Sequence, residues 1–297
     1  MKHVILGAGA VGGLVGAALA EEGEQVTLLV RPETRAQDPD SIFLERPSGH
    51  SEVRVHVDTK FTGNVHVLWI AVKSHQLVGA IDLITTNNFG IAAIIPLLNG
   101  IEHVALLRAR FDHARVVPAT IAVEVERASP GHIIQRSPFV RLALSAIGEQ
   151  RLEGIDAKLR HAGFSCEFRS DEMTMLWSKL AFLAPFALTS TAAGRSIGEI
   201  YADDTWSTRL ESAVGEACGV ARAEGATVAR EQILTALKSL PDTMRSSMQK
   251  DVSAGCRPEL DAIGGAIVRA GRRYGLDVPT TRELIANIEE RVGKNLL

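Results

Sequence analysis

Little in this chain of 297 residues suits a membrane, a nucleic acid or a metal. No apolar run reaches the ~18 residues that a bilayer-spanning helix requires. Basic residues do not outnumber acidic ones: 32 Lys and Arg stand against 35 Asp and Glu, a formal net charge of -3. That balance leaves no excess of cations to neutralise phosphates along a nucleic acid. Cysteine is scarce, with three residues, Cys166, Cys218 and Cys256, odd in number and far apart. They offer no disulfide framework and no ligand spacing, and they suit a reducing cytoplasm. The nine histidines have no paired spacing near cysteines or carboxylates, so no metal site is predicted. The opening "MKHVILGAGAVGG" has the charged start and apolar run of a signal peptide, but its glycines break the run early, which argues against that reading. Internal repeats and low-complexity stretches are also missing.

What remains is the composition of a soluble globular protein, 46% apolar and 23% charged, with length for two domains. In the first half, "HVILGAG", "QVTLLVR", "VHVLWIAVK" and "IAAIIPLLNG" read as strands, and "GGLVGAALAEEG" as a helix closed by Gly23. Continuous apolar strands between helices predict a parallel sheet covered on both faces. "RVVPATIAVEVERASPGHIIQRS" and "RLALSAIG" read as further strands, with Pro130-Gly131 as a turn and His132 as a turn residue. Beyond about Asp171 the pattern becomes helical, over 172–192, 204–225, 229–239, 257–275 and 280–293. The expected fold class is an α/β N-terminal domain of Rossmann type over residues 1–169, plus an all-α C-terminal domain over residues 170–297.

Gly7, Gly9 and Gly12 form G-x-G-x-x-G at a strand–turn–helix junction, in the segment Gly7-Ala8-Gly9-Ala10-Val11-Gly12. The first glycine permits a tight turn, the second admits a pyrophosphate to the backbone, and the third lets helix pack on strand. The helix N-terminus then offers free N–H groups and a positive dipole to phosphate. An NAD-binding protein usually ends its second strand with an acidic residue for the ribose 2′-hydroxyl. Here that position holds Arg31, whose forked guanidinium suits a 2′-phosphate, with Arg35 nearby. NADPH/NADP+ is therefore the expected cofactor; Glu33 keeps NAD open, and Arg31 as a solvated surface charge is the plain alternative. Ligands in open parallel sheets bind beyond the carboxyl ends of the strands. Lys73 and Asn99 follow two such strands, as site residues or as ordinary loop residues.

One lysine stands out. "WSKLAFLAPFALTS", Trp177 to Ser190, carries a single charge, Lys179. A buried ammonium lowers its pKa or finds a partner, and a lysine tuned toward neutrality suits a general acid.

These features resemble the ketopantoate reductase (2-dehydropantoate 2-reductase) family. The resemblance spans the chain and rests on "GAGAVGG", "AVKSHQ", "LLNG", "ASPGHI", "LWSKL" and "SSMQKDVSAGCRPELDAIGGAIVR". It implies NADPH-dependent reduction of a small-molecule 2-oxo acid, with ketopantoate giving pantoate. It also implies Lys179 as catalytic lysine and Glu259 as its acidic companion at the substrate. Ser247 and Asn99 correspond to substrate-binding residues, and Lys73 and Asn99 to residues near the nicotinamide. Read from the residues alone, the plain alternatives are a helix-start charge for Glu259 and a helix cap or surface hydroxyl for Ser247. Asp251 and Asp261 are expected outside the site, and a homodimer stays open.

The chain departs from the family pattern on the lysine helix. Many members carry asparagines four and eight residues after the lysine, where i, i+4 and i+8 share one face. Here those positions are Leu183 and Ala187. Thr189, Ser190, Thr191 and Arg195 follow as candidate replacements. A paralogue acting on a more apolar carbonyl compound is the alternative enzyme; a non-catalytic NADPH-binding sensor is the alternative from another class.

Overall fold

The computed structural model describes residues 1–84 and 91–293. The chain divides into two compact units. One comprises Met1–Leu98 and His103–Glu172; the other comprises Asn99–Glu102 and Met173–Leu297. The break after Glu172 lies three residues beyond the boundary expected at 169. The short piece Asn99–Glu102 groups with the second unit, whereas the sequence reading kept it with the first.

The first unit begins with β1 (Lys2–Leu6), α1 (Ala10–Glu21) and β2 (Gln25–Leu29). The small strands β3 (Ser41–Arg46), β4 (Gly49–Arg54) and β5 (His56–Asp58) come next. They are followed by β6 (Val67–Ile70), α2 (Leu77–Ile81), β7 (Ala93–Pro96) and α3 (His103–Arg110). The unit closes with β8 (Ala119–Ala122), β9 (Val125–Ser129), β10 (His132–Gln135), β11 (Val140–Ser145), α4 (Ile155–His161) and β12 (Phe164–Arg169).

A five-stranded sheet in the order β5-β2-β1-β6-β7 pairs parallel throughout. Successive side chains of a strand point to opposite faces, and both faces of this sheet are apolar. Ile5, Val67, Trp69 and Ile95 join the cluster that includes α1, while Val4, Leu6, Leu68, Ile70 and Ile94 join the other. Burial on both faces explains why these strands read as unbroken apolar runs. The chain runs outward from β1 through β2 to β5, then crosses to β6 on the other side of β1. The order therefore reverses at β1, the switch point at which such sheets bind ligands.

α1 is buried along most of its length because its residues are small. A Cβ on Gly13 would stand 2.6 Å from Ile133 of β10, and one on Gly16 would stand 3.0 Å from Leu28 of β2. The later strands form two further sheets, β4-β3-β10-β9 and β12-β11-β8. The strands β3, β4, β5 and β12 and the helices α2, α3 and α4 were not read from the sequence. Their exposed alternate positions dilute the apolar signal. Gly131 (φ +74°) makes the turn between β9 and β10. His132 is not a turn residue but the first residue of β10, paired with Phe43, because its backbone continues the ladder.

The second unit is helical: α5 (Glu172–Ala193, whose first residue belongs to the first unit), α6 (Ile197–Tyr201), α7 (Asp204–Ala223) and α8 (Arg230–Lys238). The rest are α9 (Ser247–Ser253), α10 (Ala266–Arg273) and α11 (Pro279–Val292). The expected helix over 257–275 begins late, and Asp261–Gly265 forms a π-helical turn ahead of α10. The short α6 and α9 escaped the periodicity reading; each fits within two turns and is set by its cap. Ser196 caps α6 in a reciprocal pair with Glu199, and Ser246 caps α9 by accepting from the Gln249 N–H. α5 and α7 supply about half of the core, with Trp177, Leu180, Ala184, Leu188, Leu210, Val214 and Ala217 fully or nearly fully buried. No helix among the described residues is long and apolar enough to cross a membrane.

Candidate functional site

At the carboxyl edge of the parallel sheet, the turn from β1 to α1 is built on glycines. Gly7 has φ +105°, and a Cβ there would lie 2.9 Å from the Ala71 carbonyl oxygen. A Cβ on Gly12 would lie 1.9 Å from the Gly7 carbonyl oxygen, so only glycine lets the helix start against the strand. A Cβ on Gly9 would meet nothing within 4 Å. No side chain caps α1, and no acidic residue stands in its first turn. The first N–H groups of any helix lack helical acceptors; here Ala10, Val11 and Gly12 present theirs, with the helix dipole, to an open approach. This cradle fits a pyrophosphate.

Arg31 follows β2 and is exposed at the start of a 3-10 turn over Pro32–Gln37. Its guanidinium makes no hydrogen bond or ion pair among the described residues. Arg35, by contrast, is committed to the Asp38 carbonyl and to Asp40 (2.9 Å each). Arg31 is thus exposed and unpaired among the described residues, whereas Arg35 is already paired on the surface. Lys73 starts a short 3-10 turn after β6, with its N–H donating to Gln76 Oε1 at 3.3 Å. Gly7, Arg31 and Lys73 thus follow the carboxyl ends of three neighbouring strands, β1, β2 and β6.

The second unit holds Lys179 and Glu259. Lys179 lies partly buried in the second turn of α5. Burial lowers its pKa from 10.5 to about 8, against the opposing pull of Glu259. Among the described residues its ammonium makes no hydrogen bond. Glu259 immediately precedes the helical segment leading into the π turn, with its side chain 94% removed from solvent at 6% exposure. Its Oε2 accepts from Asn99 Nδ2 at 3.0 Å, a contact between residues 160 positions apart. The bond fixes which way the Asn99 amide faces: the nitrogen is toward Glu259 and the oxygen away. Gly100 (φ +81°) follows, and a Cβ there would lie 2.4 Å from the Ala262 carbonyl oxygen. The Asn99–Gly100 segment therefore lies directly on the π turn.

Leu183 and Ala187 share the Lys179 face of α5, and Ala187 is fully buried. Of the candidate replacements, Arg195 is tied to Asp203 at 2.6 Å, and Ser190 Oγ pairs with Ser246 Oγ at 2.8 Å. Thr189 and Thr191 are buried. Ser247 is the exposed first residue of α9, whose cap is its neighbour Ser246.

A family model described as "Ketopantoate reductase PanE/ApbA" matches residues 3–147, and its C-terminal counterpart matches residues 171–291. The chain belongs to the ketopantoate reductase family. It is 29% identical to 2-dehydropantoate 2-reductase of Caulobacter vibrioides, over 95% of this chain and 96% of that one. Among solved structures, the ketopantoate reductase from Ralstonia eutropha JMP134 superposes with a TM-score of 0.86 at 26% identity, covering 98% of each chain. D-mandelate dehydrogenase, solved with NADH and anilino(oxo)acetate, gives the same TM-score at 19% identity over 98% of each chain, which shows the fold alone.

This ketopantoate reductase family member has the mixed α/β first unit and helical second unit expected from its sequence, and the family is one of pyridine-nucleotide-dependent oxidoreductases. The Asn99–Glu259 contact was not legible in the sequence, although both residues were singled out. Glu102 and Arg269 were not singled out, although Arg269 ends the last of the segments that carry the family resemblance. Asp261, set aside as structural, does pair with Arg269 at 2.6 Å.

Proposed function

We propose that this protein reduces a 2-oxo acid with NADPH, with ketopantoate as substrate and pantoate as product. The observation that carries the reading is the desolvated Lys179, held near pKa 8 in the unit that also pairs Glu259 with Asn99. In this reading residues 1–169 bind the cofactor through Gly7–Gly12, Arg31 and Lys73, and the helical part binds substrate. When bound, the reduced nicotinamide supplies hydride to C2 of the 2-oxo acid. The Lys179 ammonium donates a hydrogen bond to the C2 oxygen, stabilises its growing negative charge and passes it a proton. A pKa near the working pH lets the lysine give up that proton and regain it from solvent. Glu259 favours the charged lysine before the transfer. Asn99 directs its amide oxygen away from Glu259, as an acceptor for a substrate hydroxyl or a cofactor donor. Ser247 offers a hydroxyl to the substrate carboxylate. Arg31 selects the 2′-phosphate.

A second reading is favoured by Leu183 and Ala187. An apolar face beside the lysine cannot hydrogen-bond a substrate hydroxyl, and a lost polar partner in a desolvated site costs about 1–3 kcal/mol. The fold does not demand ketopantoate, since D-mandelate dehydrogenase shares it. The test is NADPH oxidation against ketopantoate and a panel of 2-oxo acids with aliphatic or aromatic side chains. Highest kcat/KM with ketopantoate supports the first reading, and turnover confined to the apolar acids supports the second. Cofactor binding without turnover of any of them would sink both and leave a sensor.

A further inference from the structure

We infer that Arg269 is a positioning residue that holds Asn99 in register with Glu259. This rests on the reading of Asn99 and Glu259 as substrate-site groups. Arg269 lies on α10 and bridges two pieces of chain. Its Nε and Nη2 form a fork on Glu102, at 2.9 Å to Oε1 and 2.7 Å to Oε2. Its Nη1 reaches Asp261 Oδ1 at 2.6 Å, and its Nη2 also donates to the Asp261 carbonyl at 3.0 Å. Glu102 ends the Asn99–Glu102 segment, and Asp261 opens the π turn that follows Glu259. One guanidinium thus pins the segment carrying the amide to the turn that follows the carboxylate.

Two further observations make this a built device rather than a chance surface pair. Gly100 lets the segment lie on the π turn, at the Ala262 carbonyl. Gly265 lets the guanidinium cross that turn: a Cβ there would stand 2.6 Å from Asp261 Oδ1 and 2.9 Å from Arg269 Nη1. The Arg269 side chain is 43% exposed and Glu102 42%, so the pairing adds little to global stability. Its value lies in geometry. A planar fork fixes direction, which an ammonium does not. An amide displaced by ~1 Å can cost ~100-fold in a reaction that depends on placement.

The test combines kinetics with a measurement that needs no turnover. Arg269→Ala should lower kcat/KM for the 2-oxo acid about tenfold, leave the NADPH Kd unchanged, and speed amide hydrogen exchange at Gly100, Ile101 and Glu102. Arg269→Lys should restore only part of the loss. In an Asn99→Ala background, Arg269→Ala should have little further effect, because coupled residues are not additive. Losses that multiply independently, or exchange in that segment that does not change, would overturn the inference. Should the wild-type protein reduce no 2-oxo acid, the functional reading fails by itself, and the exchange experiment still decides whether Arg269 holds the segment.

Discussion

Replacing Lys179 with methionine should abolish reduction and yet stabilise the fold. The side chains are similar in length and apolar stem, and the change removes a charge that burial penalises. The gap between the ordinary 10.5 and about 8, at about 1.36 kcal/mol per pH unit, amounts to about 3 kcal/mol. Below pH 8 lysine is protonated in both the folded and unfolded chain, so the folded protein bears this cost in full. Between pH 8 and 10.5 the folded protein releases the proton while the unfolded chain keeps it, so wild-type stability rises with pH across that window. The advantage of Lys179→Met should therefore be largest at neutral pH and should fade toward pH 10.5. Urea unfolding of both proteins across that range, followed by far-ultraviolet circular dichroism, measures the difference, and other titrations common to both cancel. An advantage that does not vary with pH, or an equal loss of stability at every pH, would refute the claim that the ammonium is desolvated in the native state.

Three shorter predictions accompany it. For wild type, kcat/KM should fall as pH rises through about 8, where Lys179 loses the proton it donates; Lys179→Ala should reduce kcat by roughly 10²–10⁴ with unchanged NADPH affinity. Arg31→Ala should weaken NADPH roughly tenfold to hundredfold, since hydrogen bonds to charged groups contribute ~1.5–3 kcal/mol, and should leave NADH nearly unaffected; equal loss by calorimetry would remove the phosphate assignment. Acid should destabilise the first unit through His3, which accepts from Trp69 Nε1 at 3.1 Å and which burial holds at about 4 instead of 6.5. As pH drops from 6.5 toward 4 the unfolded chain takes up a proton that the folded one refuses, costing up to about 3 kcal/mol. His3→Gln, which retains an acceptor for Trp69, should flatten that part of the stability profile.

The parallel sheet was legible because strands buried on both faces leave continuous apolar runs, and the first turn could be read because Gly7 and Gly12 each have a steric reason. Lys179 was legible as the lone charge of the apolar stretch Trp177 to Ser190. The strands β3, β4 and β5 were hidden, since half their residues face water and their pattern is shared with loops. The π turn at Asp261 was hidden too, because its extra residue leaves no mark on a 3.6-residue period. The sequence marked Glu259 and Asn99 separately but not as partners, since nothing local in either segment encodes a neighbour 160 residues away. The Arg269 fork was less visible still: it joins surface charges whose meaning comes only from what their backbones carry.

The grouping of Asn99–Glu102 with the helical unit has a consequence for synthesis and dissection of the chain. These four residues are made with the first unit, before any of the helical residues they pack against. A fragment beginning at Met173 would contain Lys179, Glu259 and Arg269 but neither Asn99 nor Glu102, leaving the buried carboxylate without its amide and the guanidinium fork without its main acceptor. Excised at Met173, the helical half would therefore lack both of these partners. Its last pieces come from the other half, and only the continuous chain can complete it.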